Sequence, residues 1–426
     1  MTTESYLDTM RLLSMEECRQ VVKNSLKLST ESDFKVTKYN ITTGSSELLG
    51  FMGEYFKLHI SIEVKSSLSK CERNLCYFIK SVPISNEYHK AECIQKNFFG
   101  KETSIYNDIL PNVQKYATSK LYPECYFSRA DLFVLEDLSS SPEGFRHLDV
   151  TESYTLQHHH VMLRHLAKLH AASLAWELNE NLNIGDHFKD VLFEMHLTVK
   201  NEWFTTGAKS ILYLANLHPK YQTTSVQSFI RDKLYKILCD TEALTEPSKE
   251  FRNVLCHRDS WDRNIFYSFN KAGEPVDCRI VDFQLTRYHP SGLDVLFFLY
   301  MTTPRKERDS IYDHCLDFYH DALKTALRDQ QQSADLITKE EFLRDCKRVR
   351  VAVLILHAIC EPLFKMPEGL ANKWRAEEQE LFDYYMNTKR DELLQRVMAV
   401  DEDYKNIILE PIEELMDYLL HSEGIE

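Results

Sequence analysis

Residues 256–264 read "CHRDSWDRN", placing Asp259 behind His257 and setting Asn264 five positions further on. A loop with that spacing supplies a carboxylate that can accept a proton from an attacking hydroxyl, together with an oxygen donor for a metal ion. Asp282, in "IVDFQ" at the end of the following β-type run, offers a second oxygen donor. The chemistry that needs this set is phosphoryl transfer, which asks a protein for positioning, metal ligands and a base beside the nucleophile. We therefore read Asp259 as the base and Asn264 and Asp282 as magnesium ligands. The pattern H-x-D-x-x-x-x-N recurs by chance, but joined to "VDF" after a hairpin it becomes specific.

Upstream residues complete a nucleotide site. Lys80 ends the strand-like "LCYFIK", where a lysine can reach phosphates, and Glu102, in the helical "FFGKETSIYNDIL", is the carboxylate suited to hold it. "GSSELLGFMGEYF" lacks the G-x-G-x-x-G spacing, yet Gly50 and Gly53 can bring backbone N–H groups to phosphates, beside a negative Glu54. "FVLEDL" runs an apolar strand into Glu136, Asp137 and Leu138, a hinge whose backbone could meet adenine. The plainer alternatives are a surface lysine, a solvated helix face, an ordinary hairpin turn and a linker without ligand. "HHH" at 158–160 cannot close on one ion, because successive helical residues point about 100° apart; a partly exposed helix face is expected. "DVLFFLY", from Asp294 to Tyr300, is expected to be helix core.

The elements that must position these residues change texture near residue 140. Before it, β-type runs recur in "YFKLHISIEV", "NLCYFIK" and "DLFVLEDL"; after it, most segments have helical spacing, including a Thr338/Glu341 capping box. One β island, "NVLCHRDSWDRNIFYSF" and "CRIVDFQL" around the turn "NKAGEP", predicts a small hairpin. The expected architecture is α+β and two-lobed: a strand-rich nucleotide-binding lobe over 1–138 and a helical, catalytic and substrate-binding lobe over 139–426, with the nucleotide between them.

Composition sets the outer bounds. The 426 residues are 43% hydrophobic and 27% charged, with only 11 Gly and 12 Pro, so an ordinary globular core is expected. The net charge of −14 repels nucleic acid and anionic membranes, and neither is expected as a partner. The 11 scattered cysteines point to a reducing compartment with free thiols. The N-terminus does not read as a secretory signal, and "VAVLILHAIC" is too short for a membrane span, so a cytoplasmic protein is expected.

"FVLEDL", "LAKLHAAS", "HRDSWDRN", "IVDFQLTRY" and "LDVLFFLY" occur in that order, and together they resemble the insect ecdysteroid-kinase-like family, related to choline kinases and aminoglycoside phosphotransferases. Trp261 between Asp259 and Asn264, with "VDFQ" following, carries more of this resemblance than the H-R-D triplet. It implies a protein-kinase-like fold, ATP and magnesium as cofactors, and a small-molecule alcohol as acceptor. It gives the base role to Asp259, the metal roles to Asn264 and Asp282, the phosphate-anchoring pair to Lys80 and Glu102, and a bracing role to Asp294.

The sequence departs from that pattern at Glu54 and at Arg258, where Gly is usual. Arg258 creates the look of a protein kinase, but Gln284 replaces the Gly of D-F-G and no A-P-E follows. Its guanidinium is expected to pair with a nearby carboxylate or carbonyl. A neutral apolar alcohol, an ecdysteroid first, is the leading acceptor. A cationic amino alcohol or foreign hydroxylated compound, and a pseudokinase that binds without turnover, are the alternatives.

Overall fold

Branched and aromatic residues alternate along the chain between Phe34 and Glu136, and here the computed structural model forms five strands. They are β1 (Phe34–Thr43), β2 (Glu54–Lys65), β3 (Lys70–Ser81), β4 (Cys125–Arg129) and β5 (Leu132–Glu136), paired antiparallel in the order β1-β2-β3-β5-β4. The structure describes residues 12–28, 34–43, 53–65, 70–84, 87–149 and 152–425. The period of two sends Phe56, Leu58, Ile60 and Ile62 of β2 and Tyr77 and Ile79 of β3 into a core that includes Cys18, Val21 and Val22 of helix α1 (Met15–Ser25). Tyr55, Lys57, Phe78 and Lys80 alternate with these residues and so face the other way. Burial of one set of side chains thereby fixes the direction of the other.

The chain divides into two compact units that interleave along the sequence. The first comprises Met1–Lys115, Ser119–Thr151 and Arg263–Gln284; the second comprises Tyr116–Thr118, Glu152–Asp262 and Leu285–Glu426. The expected hairpin forms in the first unit from β7 (Ile265–Phe269) and β8 (Pro275–Ile280), with Gly273 at φ +81° in its turn. Two short strands of the second unit, β6 (Val254–Cys256) and β9 (Arg287–His289), also pair, a contact the apolar pattern did not indicate.

The second unit is mostly helical. Helix α3 (Leu156–Glu180) packs on α5 (Arg305–Asp329), and α4 (Gly292–Thr302) packs on α6 (Lys339–Phe364). Helix α2, in the first unit, spans Phe98–Ser104. Residues 292–301 of α4 are all buried, so "DVLFFLY" is helix core as expected. Gly292 opens α4 because a Cβ there would lie 2.5 Å from Asp345 Oδ2, which accepts the Gly292 N–H over 2.9 Å.

Local details correct the sequence reading. Thr338 accepts the Glu341 N–H, but the Glu341 side chain accepts from the Arg252 N–H instead of closing the capping box. The three histidines do not form a partly exposed face. His158 and His159 are buried: His158 Nδ1 accepts the Thr155 N–H, and His159 lies 2.7 Å from Thr303 Oγ1, while His160 is half-buried beside His314. None of the 11 cysteines is joined in a disulfide among the described residues, and most of them are buried. Among the described residues, no helix is long and apolar enough to cross a membrane.

Candidate active site

In the first unit a cavity of about 270 Å³ opens on the sheet face opposite α1. Its lining includes Lys80, Glu102, Glu136, Leu138, Asn264 and Asp282, six residues singled out from sequence. Phe78, Leu135, Phe266 and Val281 supply apolar walls. Gly53 lies against the same place: a Cβ there would meet Ser81 O at 3.2 Å and Lys80 Cε at 3.7 Å. Gly44 and Gly50 lie outside the described residues. Glu54, paired with Ser81 at the start of β2, is not among the described residues lining the cavity.

Lys80 is the centre of the charged end. Its ammonium donates to Glu102 Oε2 over 2.6 Å and to Asp282 Oδ1 over 2.9 Å, with Lys80 and Glu102 both fully buried. Burial opposes the lysine charge, but Asp282 and Glu102 outweigh it and hold Lys80 above its ordinary value. Burial also pushes the Glu102 carboxyl up, to about 7, with Lys80 offsetting only part of the shift. Two carboxylates share one ammonium, so Lys80 stays protonated and the excess negative charge is borne least well by Glu102. Phe99 of α2 stacks on Phe133 at 5.3 Å, fixing the helix that carries Glu102 against the strand residue opposite Lys80. Asp282 itself has φ +65°, a left-handed turn just after β8 that a non-glycine residue adopts at a cost.

The hinge residues are tied by side-chain partners that sequence reasoning missed. Asp137 accepts from Lys57 Nζ at 2.9 Å, Ser139 Oγ at 2.7 Å and Ser140 Oγ at 2.6 Å. Burial would raise its carboxyl, but these donors hold it down, to about 2. Glu136 is drawn to Lys120 at 2.6 Å. The 136–140 turn is thus pinned by its side chains, and Glu136, Asp137, Leu138 and Ser139 line the cavity. Lys57 was legible as a residue on the Lys80 side of the sheet; its pairing with Asp137 was not, because that depends on β2–β3–β5 register.

Asp259 lies in the second unit, half-buried on the turn after β6. Its N–H donates to His257 Nδ1 over 3.2 Å, and its carbonyl accepts the Trp261 N–H over 3.1 Å. Asp294, at the start of α4, accepts the N–H groups of His257 at 2.7 Å and Arg258 at 2.6 Å. It also meets His170 Nε2 at 3.2 Å. Arg258 has φ +73°, a left-handed conformation costing an L-residue about 1 kcal/mol. Its guanidinium, expected to meet a carboxylate or a backbone carbonyl, pairs with the carboxylate of Glu194 at 3.0 Å. Trp261 stacks on Phe364, with centroids 3.9 Å apart and planes at 14°.

Residues 50–332 match the Ecdysteroid kinase-like family. The chain belongs to that family. As a member, it is a phosphotransferase acting on an alcohol group of a small molecule. Among curated proteins, none matches this chain. Among solved structures, it is similar to an ethanolamine kinase of Plasmodium vivax, at 10% identity and TM-score 0.36, over 90% of this chain and 88% of the other.

Proposed function

We propose that this ecdysteroid kinase-like protein transfers the terminal phosphoryl group of ATP, with magnesium, to a hydroxyl of a neutral and largely apolar alcohol. An ecdysteroid-like steroid stands first among acceptors. The observation that carries the reading is the convergence of Lys80, Glu102, Asn264 and Asp282 at one cavity whose wall also includes Glu136–Leu138. Apolar walls beside the 136–138 segment suit a purine, and the buried lysine suits phosphate.

The donor set also fits magnesium. Asn264 and Asp282 offer oxygen atoms at the cavity, and magnesium binds through one or two protein oxygens with phosphates and water completing its shell. Bound there, the ion would neutralise charge on the phosphate oxygens. Lys80 would hold the phosphates, Glu102 would hold Lys80, and the backbone of 136–138 would orient the base. Asp259 would accept the proton of the acceptor hydroxyl. The half-buried Trp261 and Phe364, two positions beyond Asp259 and at the end of α6, offer aromatic faces that suit an apolar acceptor; such faces also attract ammonium groups, and the acceptor panel separates the two.

A phosphate-transfer assay with Mg-ATP over ecdysteroids, simple apolar alcohols, choline and ethanolamine tests the proposal. Turnover on neutral apolar alcohols is expected. Turnover confined to the amino alcohols would overturn the acceptor class. Nucleotide binding without transfer to any member would support a pseudokinase instead.

A further inference from the structure

Arg258 is held in a way the reaction does not by itself require. It sits left-handed between His257 and Asp259, and its side chain is buried against a buried Glu194. Glu194 Oε1 accepts the N–H groups of Met195, His196 and Leu197 at 3.1, 2.9 and 3.0 Å, folding the segment after α3 around one oxygen. The other oxygen, Oε2, faces two guanidiniums, Arg258 at 3.0 Å and Arg287 at 3.8 Å. Arg287, on β9, donates to the carbonyls of Leu192 at 2.7 Å and Thr245 at 2.8 Å. Among the described residues, Arg258 Nε and Nη1 and Arg287 Nε have no hydrogen-bond partner.

Glu194 is therefore the buried carboxylate shared by two buried cations beside the proposed base, Arg287 having a second, exposed partner in Glu246 at 3.6 Å. Burial would raise the Glu194 carboxyl, but Arg258, Arg287 and the backbone donors hold it well below the usual carboxylate range. Asp294 grips the 257–258 backbone from one side, and Glu194 grips the side chain of Arg258 from another. Without Glu194, Arg287 would keep Glu246 at 3.6 Å, but Arg258 would lose the carboxylate that balances its charge, and the side chain anchoring the left-handed residue would be released.

We propose that Glu194 is a positioning residue: acting through Arg258, it fixes the 257–259 turn and hence the placement of Asp259. This deepens the catalytic reading given above and rests on it. A small displacement of a positioned group is enough to slow catalysis strongly.

The test compares the parent with Glu194→Gln, Arg258→Gly and the double variant. Glutamine keeps a carbonyl oxygen for the 195–197 amides while removing the charge. Glu194→Gln is expected to lower kcat on the best acceptor about 10- to 100-fold with ATP affinity nearly unchanged. Arg258→Gly removes the stranded cation and tolerates the left-handed turn, so it is expected to lose only about two- to fivefold. In the double variant the Gln substitution should add nothing further. Amide hydrogen exchange over 254–262 supplies a readout independent of turnover, faster in Glu194→Gln and no faster in the double variant than in Arg258→Gly.

A double variant as slow as Glu194→Gln, or a single variant unchanged in both kcat and exchange, would overturn the proposal. If Glu194→Gln fails to fold, recovery of folding in the double variant supports it; failure of the double variant where Arg258→Gly folds overturns it. A parent inactive on every acceptor would sink the catalytic reading, and the exchange measurements would still decide the clamp.

Discussion

The ammonium of Lys80 donates to Asp282 over 2.9 Å, although 202 residues separate the two in the chain. The contact ties the end of β3 to the turn after β8, and the same nitrogen holds Glu102. The charged end of the cavity is consequently one unit: two carboxylates whose shared cation is Lys80.

Removing the cation should be worse than removing a carboxylate. Lys80→Met strands Glu102 and Asp282 together and is expected to cost about 3 kcal/mol or more. Glu102→Gln leaves Lys80 paired with Asp282 and should cost clearly less. Denaturant unfolding of both variants checks the order; the reverse order would mean that the triad does not behave as one cation between two carboxylates.

Asp282→Ala is expected to weaken Mg-ATP far more than metal-free ATP, because the carboxylate would act through the ion. Calorimetric titration with and without magnesium measures both affinities. Equal losses in the two conditions would make Asp282 a structural partner of Lys80 alone.

Asp259→Asn should leave ATP binding nearly intact and lower turnover on the order of 10²–10⁴-fold, the usual contribution of a positioned base. The relevant measurement is kcat at saturating ATP and acceptor. Parental turnover in this variant would take the base role away from Asp259.

The pH dependence of stability should report Asp294. Burial would raise its carboxyl, but a hydrogen bond from His170 and the neighbouring His170, His257 and His289 hold it down, from an ordinary 3.8 to about 2. A depressed folded value means that the carboxylate stabilises the fold fully above the unfolded value, near pH 4, and loses that contribution as the pH falls towards 2. The loss is about 2 kcal/mol. Between pH 5 and pH 2 the stability of the parent should therefore fall more steeply than that of Asp294→Asn, whatever the absolute stability of the variant. Parallel slopes would show that Asp294 does not titrate in this window.

The sequence by itself determined which residues could do chemistry and which local elements carry them. The spacing of Asp259 and Asn264, the strand ending at Lys80 and the "VDFQ" turn were legible because each depends on neighbours a few positions away. The alternation of β2 and β3 was legible for the same reason: a two-residue period separates core from cavity without knowledge of any partner. The hairpin of β7 and β8 followed from two apolar runs around a Gly-containing turn.

Only the tertiary structure decided the pairings that join distant segments. Lys57 with Asp137, Lys80 with Asp282 and Arg258 with Glu194 are separated by 80, 202 and 64 residues. No periodicity or propensity links such positions, because each contact depends on strand register and on how turns return the chain. The left-handed backbone at Arg258 and Asp282 was hidden for a related reason: local preference argues against it, and it persists because surrounding contacts over-determine it. The histidines of "HHH" misled in the opposite direction. Local polarity suggested an exposed face, whereas burial against Thr155 and Thr303 gave two of them hydrogen-bond partners inside the helical unit.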